Sequence, residues 1–210
     1  MKGYVMKTKI KIIAFYLLAV VLGGCVQSSL HPLFTKDQVF FDPNLSGVWK
    51  AADSNETWHF SRFEDADAYK LVITQKDGKK GTFAAGLGKL QDTLFLDVYP
   101  IESGEKGIDL YQEHLIGTHS FMRIVQMDPT LKIAMVDAEK VDKIIKADPN
   151  VVRHEKVDDK IILTAETEEL QKFIIDCGIN ATDDANSIFA EPKEFIWLAE
   201  DANDNAAAEK

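Results

Sequence analysis

The chain has 210 residues, and its 34 acidic residues outnumber its 24 basic residues, which gives a formal net charge of −10. This length suits one domain with tails. Hydrophobic residues make up 46% of the chain, enough for a core, so the composition excludes a wholly disordered protein. The acidic balance argues against a nucleic-acid-binding protein, because such proteins need clustered lysines and arginines to displace phosphate counterions.

The first 24 residues have the pattern of a secretory signal peptide. They carry four lysines and no acidic residue, and an apolar run of 13 residues occupies positions 12–24. That run is shorter than the ~20 residues that a transmembrane helix needs. It ends in Leu22-Gly23-Gly24-Cys25, which resembles a bacterial lipobox. The resemblance implies cleavage between Gly24 and Cys25 and acylation of Cys25. The alternative is an ordinary signal peptide with a cysteine near the cut by chance.

A lipidated Cys25 implies a membrane-anchored lipoprotein of the cell envelope, because two or more acyl chains hold a protein firmly. Val26 follows the cysteine, where many inner-membrane lipoproteins of Gram-negative bacteria carry an aspartate. The outer membrane is therefore expected if the host is Gram-negative. Residues 25–210 contain 20 basic and 34 acidic residues, a net charge of −14. Anionic headgroups repel a body of this charge, so the lipid anchor has to hold the protein at its membrane partner.

The expected organisation is a signal peptide at 1–24, a lipidated cysteine and tether at 25–44, one β-rich domain at 45–198, and a disordered tail at 199–210. Strands are predicted at 45–50, 57–63, 69–74, 81–89, 93–99, 110–117, 120–127, 131–136, 160–165 and 194–198. Residues 69–74 alternate apolar and polar side chains, as in a half-buried strand. Asp77-Gly78 is a favoured hairpin turn. Both faces of 93–99 are mostly apolar, which predicts a strand covered on both sides.

Two helices are predicted in the C-terminal half. Asp137 is placed to cap a helix at 138–146, and Thr167 to cap a second helix at 168–177 that ends at Gly178. Leu170, Phe173, Ile174 and Cys177 follow the i, i+3, i+4, i+7 spacing of a buried helix face. We therefore expect Cys177 to be a buried, unpaired structural thiol.

The predicted fold class is mainly β (α+β): an antiparallel meander that forms a barrel or a strongly curved sheet, with two short helices in its C-terminal half. Gly47-Val48-Trp49 resembles the Gly-x-Trp of lipocalin-like barrels. That resemblance implies a glycine at a close chain crossing and an indole that plugs one end of the barrel. The second late helix departs from that family.

Residues 31–198 also resemble a group of bacterial lipoproteins without an assigned function. The similarity is carried by the segments His31-Pro32-Leu33-Phe34, Leu45-Ser46-Gly47-Val48-Trp49, Glu56-Thr57-Trp58, and Val157-Asp158-Asp159 before Ile161-Ile162-Leu163-Thr164-Ala165. This resemblance implies a lipoprotein and brings no catalytic residues.

The sequence offers no catalytic constellation, so we expect no enzyme activity and no cofactor. His114 and His119 are the closest histidines, and their odd spacing puts them on opposite faces of a strand. Two histidines also fall short of a zinc site. Gly81, Gly86 and Gly88 are expected to mark a bend in a strand rather than a nucleotide site.

Seven aromatic residues are candidates for lining a cavity or for filling a core: Trp49, Trp58, Phe60, Tyr69, Phe83, Phe95 and Phe121. Two interpretations of function remain open. One is an envelope lipoprotein that binds an apolar or amphipathic small molecule in a lipocalin-like barrel. The other is a membrane-tethered interaction or scaffold protein with an envelope protein partner, no small ligand and no catalysis.

Overall fold

The computed structural model describes residues 26–63, 66–102, 115–183 and 186–199. Within these ranges the strands are β1 Ser28–Ser29, β2 Gly47–Ala51, β3 Thr57–Arg62, β4 Tyr69–Thr74, β5 Lys80–Leu90, β6 Thr93–Glu102, β7 Ser120–Gln126, β8 Leu131–Met135, β9 His154–Val157, β10 Lys160–Leu163 and β11 Lys193–Ala199. The α-helices are α1 Ala138–Ala147 and α2 Thr167–Ile174, which continues as a π-helical turn at Ile175–Ile179, and two 3-10 turns span Lys36–Gln38 and Pro43–Leu45.

Eight of these strands form a closed antiparallel barrel, as the sequence predicted. Strands β2 to β8 pair with their neighbours in chain order, and β11 closes the barrel between β2 and β8. Phe195 of β11 is paired with Ala51 on one side and with Leu131 on the other. The barrel therefore has no free sheet edge along these strands.

The inside of the barrel is filled by the alternate residues of each strand, since successive side chains of a strand point to opposite faces. The side chains of this interior cluster are Leu45, Trp49, Ala51, Trp58, Phe60, Tyr69, Leu71, Ala85, Leu87, Leu96, Val98, Met122, Ile124, Leu131, Ile133 and Phe195. None of them is more than 6% exposed, so they form one continuous core.

A second apolar cluster covers the outer face of β6, β7 and β8. Phe95, Phe121 and Ala134 point outward from these strands and pack against α1, α2 and residues 33–34. Strand β6 thus contributes to both clusters. This arrangement confirms that both faces of 93–99 are covered.

The turn between β4 and β5 follows the prediction. Gly78 has a φ of +84°, which favours glycine. Its N–H donates to the carbonyl of Gln75 at 2.8 Å, and the Gln75 N–H donates to the Lys79 carbonyl at 2.8 Å.

The start of the first helix is confirmed and that of the second is corrected. The Asp137 side chain accepts hydrogen bonds from the N–H groups of Glu139 and Lys140, at 2.8 and 3.1 Å. The N-cap of α2 is Glu166 rather than Thr167. The Thr167 hydroxyl donates instead to the carbonyl of Pro32 at 2.8 Å, so it joins the helix to the N-terminal segment.

The predicted burial of Cys177 is wrong. Leu170, Phe173 and Ile174 are buried as expected, but the helix widens into the π-helical turn after Ile174. A π turn holds more residues than an α turn, which shifts the buried face by one position. Gly178 therefore takes the buried place inside the turn instead of ending the helix, and Cys177 is a half-buried free thiol.

The segment 26–44 lies against the barrel along much of its length. Leu33 and Phe34 are 0% and 5% exposed. A Cβ on Gly88 would lie 2.6 Å from the Phe34 ring, and one on Gly86 would lie 3.3 Å from the Val39 side chain. The absence of a side chain at these two glycines of β5 makes room for Phe34 and Val39 of the covering segment. The glycines were expected to mark a bend in the strand instead.

Several expectations fall outside the described residues: the signal peptide, Cys25, most of the strand predicted at 110–117, and the tail from 200 onward. Residues 115–117, the described end of that predicted strand, are irregular. Strands β1 and β9 were not predicted. In the described part of the chain, no helix is both long enough and apolar enough to cross a membrane.

Candidate functional site

Trp49, for which the sequence predicted a plug, is a buried member of the interior cluster of the barrel. Its side chain is 4% exposed. The indole N–H donates to the carbonyl of Leu45 at 2.9 Å. Leu45 belongs to a 3-10 turn, Pro43–Leu45, whose start is capped by the Asp42 side chain. The acceptor is thus local in the chain and does not lie on a neighbouring strand.

Gly47, the first residue of β2, lies close to the last residues of β11. Its φ is +118°, and a Cβ there would meet the Ala199 carbonyl oxygen at 2.7 Å and the Trp197 indole nitrogen at 3.0 Å. Only glycine fits this combination of backbone angle and contact. The Trp197 ring therefore lies beside Gly47, with 44% of its surface exposed.

The interior of the barrel contains aromatic rings in contact with one another. Trp58 lies 4.9 Å from Phe195 and 6.2 Å from Phe60, measured between ring centroids, and Phe60 lies 6.0 Å from Tyr69. Such spacings are typical of packed aromatic pairs. Trp58 and Phe195 belong to β3 and β11, the two strands that pair with β2.

The polar tips of these rings are hydrogen-bonded. The Trp58 indole N–H donates to the Glu56 carboxylate at 2.7 Å, and Lys193 pairs with the same carboxylate at 3.1 Å. The Tyr69 hydroxyl donates to the Asp42 carbonyl at 2.8 Å. The buried rings therefore have partners for their polar atoms and need no ligand to satisfy them.

The seven aromatic candidates divide between the two faces of the barrel wall. Trp49, Trp58, Phe60 and Tyr69 lie in the interior cluster, with Phe83 half-buried at its margin. Phe95 and Phe121 lie outside, beneath the helices. The structure thus brings five of the seven together, and the other two belong to a different cluster.

A buried acid–imidazole pair on the outer face of β6 was missed by sequence reasoning. Asp97 is 7% exposed; one carboxylate oxygen lies 2.7 Å from His119 Nδ1, and the other accepts the Leu33 N–H at 2.7 Å. The Tyr99 ring covers the imidazole at 4.7 Å between centroids. An aspartate inside an otherwise apolar strand was the only available signal. The pair fastens the N-terminal segment to the barrel.

Arg123 lies on the outer face of β7 and lines an open depression of about 460 Å³ with Thr93 and Val125. Its guanidinium stacks 4.5 Å above the Phe189 ring, and its buried Nε has no hydrogen-bond partner. The depression is shallow and carries no assembled set of reactive groups.

Metal ligation finds no support within the described ranges, where no group of three or more histidine, cysteine, aspartate or glutamate side chains converges. At Cys177, partial burial raises the thiol pKa, and the neighbouring Asp176 carboxylate raises it further. A raised thiol pKa is the opposite of what a nucleophilic cysteine needs.

No protein-family model matches this chain, and no curated protein or solved structure matches it.

Proposed function

We propose that this chain is a lipid-anchored protein of the bacterial cell envelope whose barrel is a rigid module for contact with another envelope protein. The lysine-rich start, the 13-residue apolar run and Leu22-Gly23-Gly24-Cys25 support the anchor. The anchor places the module at the membrane, and the barrel surface supplies the contact.

The filled barrel interior favours a protein partner over a small ligand. Trp58, Phe60 and Phe195 are at most 1% exposed, and the Trp58 ring contacts both of the others inside the barrel. A barrel that binds a small molecule needs an enclosed apolar pocket of roughly 300 Å³ or more. The packing of these rings favours a barrel whose interior holds no small ligand.

The end of β11 offers a surface for such a contact. Trp197, the partner of Trp49 on β2, is 44% exposed. Its neighbours Ile196 and Leu198, which alternate with it along the strand, are 52% and 51% exposed. Exposed tryptophans are frequent energetic centres of protein interfaces. The Trp197 indole nitrogen lies 3.0 Å from the place a Cβ on Gly47 would occupy, so the ring lies over the start of β2.

The second candidate is a lipocalin-like barrel that binds an apolar or amphipathic molecule. It is favoured by the closed eight-stranded architecture, a size that in other proteins holds one small ligand. The positive φ of Gly47, beside a buried Trp49, also fits the Gly-x-Trp resemblance. In this case, the interior rings would have to move to admit the ligand.

Membrane fractionation tests the anchor. The Cys25→Ser chain should lose lipid attachment and leave the membrane fraction after a salt wash, whereas Cys177→Ser, a matched change at the other cysteine, should remain in it. A Cys25→Ser protein that stays with membranes would contradict the anchoring hypothesis.

Native mass spectrometry and site-specific crosslinking separate the two candidates. The protein extracted from its own envelope should carry no lipid-sized adduct besides its acyl chains. A photo-crosslinking phenylalanine analogue at Trp197 should capture a protein, whereas the same analogue at Phe40, which is 38% exposed, should not. A stoichiometric small-molecule adduct without a crosslink at Trp197 would favour the ligand-binding barrel.

A further inference from the structure

The residues that follow Cys25 are part of the folded body. Val26 forms a β-bridge with Asp137, and the Gln27 N–H donates to the Val136 carbonyl at 3.1 Å. Ser29 and His119 exchange both backbone hydrogen bonds, at 2.8 and 3.0 Å. One side of segment 26–30 is thus fixed to the ends of β7 and β8.

The other side of this segment is fixed to the small sheet. Ser28 and Ser29 pair in parallel with Ile162 and Leu163 of β10, and the Leu30 N–H donates to the Leu163 carbonyl at 2.9 Å. The Gln27 side chain donates to the Ile161 carbonyl at 2.9 Å. Segment 26–30 is therefore an interior strand, paired on both sides.

The outward side of this small sheet carries exposed apolar side chains. Along the segment, Gln27 and Ser29 are 1% and 0% exposed, whereas Val26 and Leu30 are 38% and 40% exposed. Ile162 is paired with Ser28 and therefore shares the outward side. On β9, Val157 is 53% exposed. The exposed Glu155 and Lys160 lie on the same side, because they are paired with Ile162 and Val157. These four residues, Val26, Leu30, Val157 and Ile162, are called the docking face.

We propose that the docking face lies against the surface of the lipid bilayer, which fixes one orientation of the barrel on the membrane. This inference rests on the proposed acyl anchor at Cys25. Consecutive Cα atoms are 3.8 Å apart, so the acylated residue is held one peptide unit from Val26, the first residue of the docking face. No linker intervenes that would let the barrel turn freely above the membrane.

The short connection also makes a weak apolar contact sufficient. An anchored face has a high effective concentration at the membrane, so it needs little affinity of its own. Asp158 and Asp159 follow Val157 directly in the turn before β10, and the processed chain has a net charge of −14. Contact should therefore be closest on neutral phosphatidylcholine and weaker on vesicles that contain anionic lipid.

Nitroxide accessibility tests the orientation on the full lipidated protein in phosphatidylcholine vesicles. In a Cys177→Ala background, a spin-labelled cysteine replaces Leu30 or Val157 on the docking face. The control label replaces Ile196, whose exposed fraction of 52% matches the 53% of Val157. Ile196 lies beyond the Leu131 end of β8. Segment 26–30 is hydrogen-bonded to Val136, which follows the other end of β8.

The labels at positions 30 and 157 should lose access to an aqueous nickel chelate and gain access to oxygen, which concentrates in lipid. The label at position 196 should keep its access to nickel. Equal nickel access at all three positions would overturn the proposal. Magnetic broadening between labels at position 157 on different molecules would assign the face to a second copy of the chain and would also overturn it.

Two further observations complete the test. Co-flotation of the labelled protein with vesicles establishes the anchor first, so its failure contradicts the proposed function rather than the orientation. A flexible Gly-Ser insertion between Cys25 and Val26 keeps the anchor but adds slack. Nickel access at positions 30 and 157 should then rise towards that at position 196, and unchanged protection would contradict the short-connection argument.

Discussion

Trp49 and Trp197 are partners on β2 and β11, but their indoles have different surroundings. Trp49 is 4% exposed and hydrogen-bonded to Leu45, whereas Trp197 is 44% exposed. A cavity left by a large buried ring cannot collapse completely, so its removal costs both transfer free energy and lost contacts. A half-exposed ring leaves no such cavity.

Replacing these two tryptophans should therefore have unequal effects on stability. Trp49→Ala should lower the free energy of unfolding by about 3–5 kcal/mol, as for other large core truncations. Trp197→Ala should lower it much less, and both variants should remain anchored. Urea unfolding followed by far-UV circular dichroism measures the difference. Equal losses, or an unchanged midpoint in Trp49→Ala, would show that Trp49 is not a structural plug.

The raised pKa of Cys177 predicts slow thiol labelling. Burial and the Asp176 carboxylate both favour the neutral thiol, so less thiolate is present at pH 7 than in an unfolded chain. Because the thiolate is the reactive form, labelling of the native protein should be slower than in denaturant and should accelerate as the pH rises. Stopped-flow labelling across pH 7–10 measures this, and native labelling as fast as denatured labelling would contradict it.

Individual residues were only partly predictable from the sequence. Gly47 and Trp49 were predictable because a three-residue motif describes a local geometry. The pairing of Asp97 with His119 joins residues on separate elements, and an isolated aspartate carries no mark of its partner. The exposure of Cys177 depends on a π turn, and helical spacing alone assumes a regular α-helix.

Among the elements, the N-terminal segment offers a matched pair of leucines. Leu33 is 0% exposed and belongs to the outer apolar cluster, whereas Leu30 is 40% exposed. Leu33→Ala should lower the free energy of unfolding by about 2–5 kcal/mol through the cavity it leaves. Leu30→Ala should change it by no more than about 0.5 kcal/mol. Similar small effects for both would mean that the segment contributes little to the stability of the barrel.

Strand prediction succeeded where the pattern was local and failed where tertiary pairing makes the strand. Alternation along 69–74 and the Asp77-Gly78 turn identified β4 and its hairpin. Strand β1 has two residues, too few for any periodicity, and it exists because β10 lies beside it. Strand β9 is mostly exposed and polar, so its sequence reads as a loop.

At the scale of the whole molecule, barrel closure depends on β11. A chain that ends at Pro192 lacks this strand and exposes the edges of β2 and β8, and such edges promote aggregation. A chain that ends at Ala199 keeps β11 and is the matched control. Size-exclusion chromatography should find aggregates or unfolded protein in the first case and monomeric folded protein in the second. A folded monomer from the shorter chain would contradict the dependence on β11.

The barrel itself was predictable from the number and succession of short strands with tight turns. The sorting of the aromatic residues was not, because β6 is apolar on both faces and its sequence does not reveal which side is the interior. The outer face of β6 is determined by the helices and by Leu33 and Phe34, which pack against the outside of the barrel wall.

The pairing of β11 with β2 also determines when the molecule can fold. Phe195 and Ala51 are partners although they are 144 residues apart in the chain, and β1 pairs with β10 over a similar span. Contacts between such distant residues make folding slow, because the loop must close before the contact stabilises it. While the chain is being made, both the barrel and the small sheet lack their closing partners until their C-terminal strands have been synthesised. Closure of the barrel and completion of the small sheet are therefore late events in the synthesis of the chain.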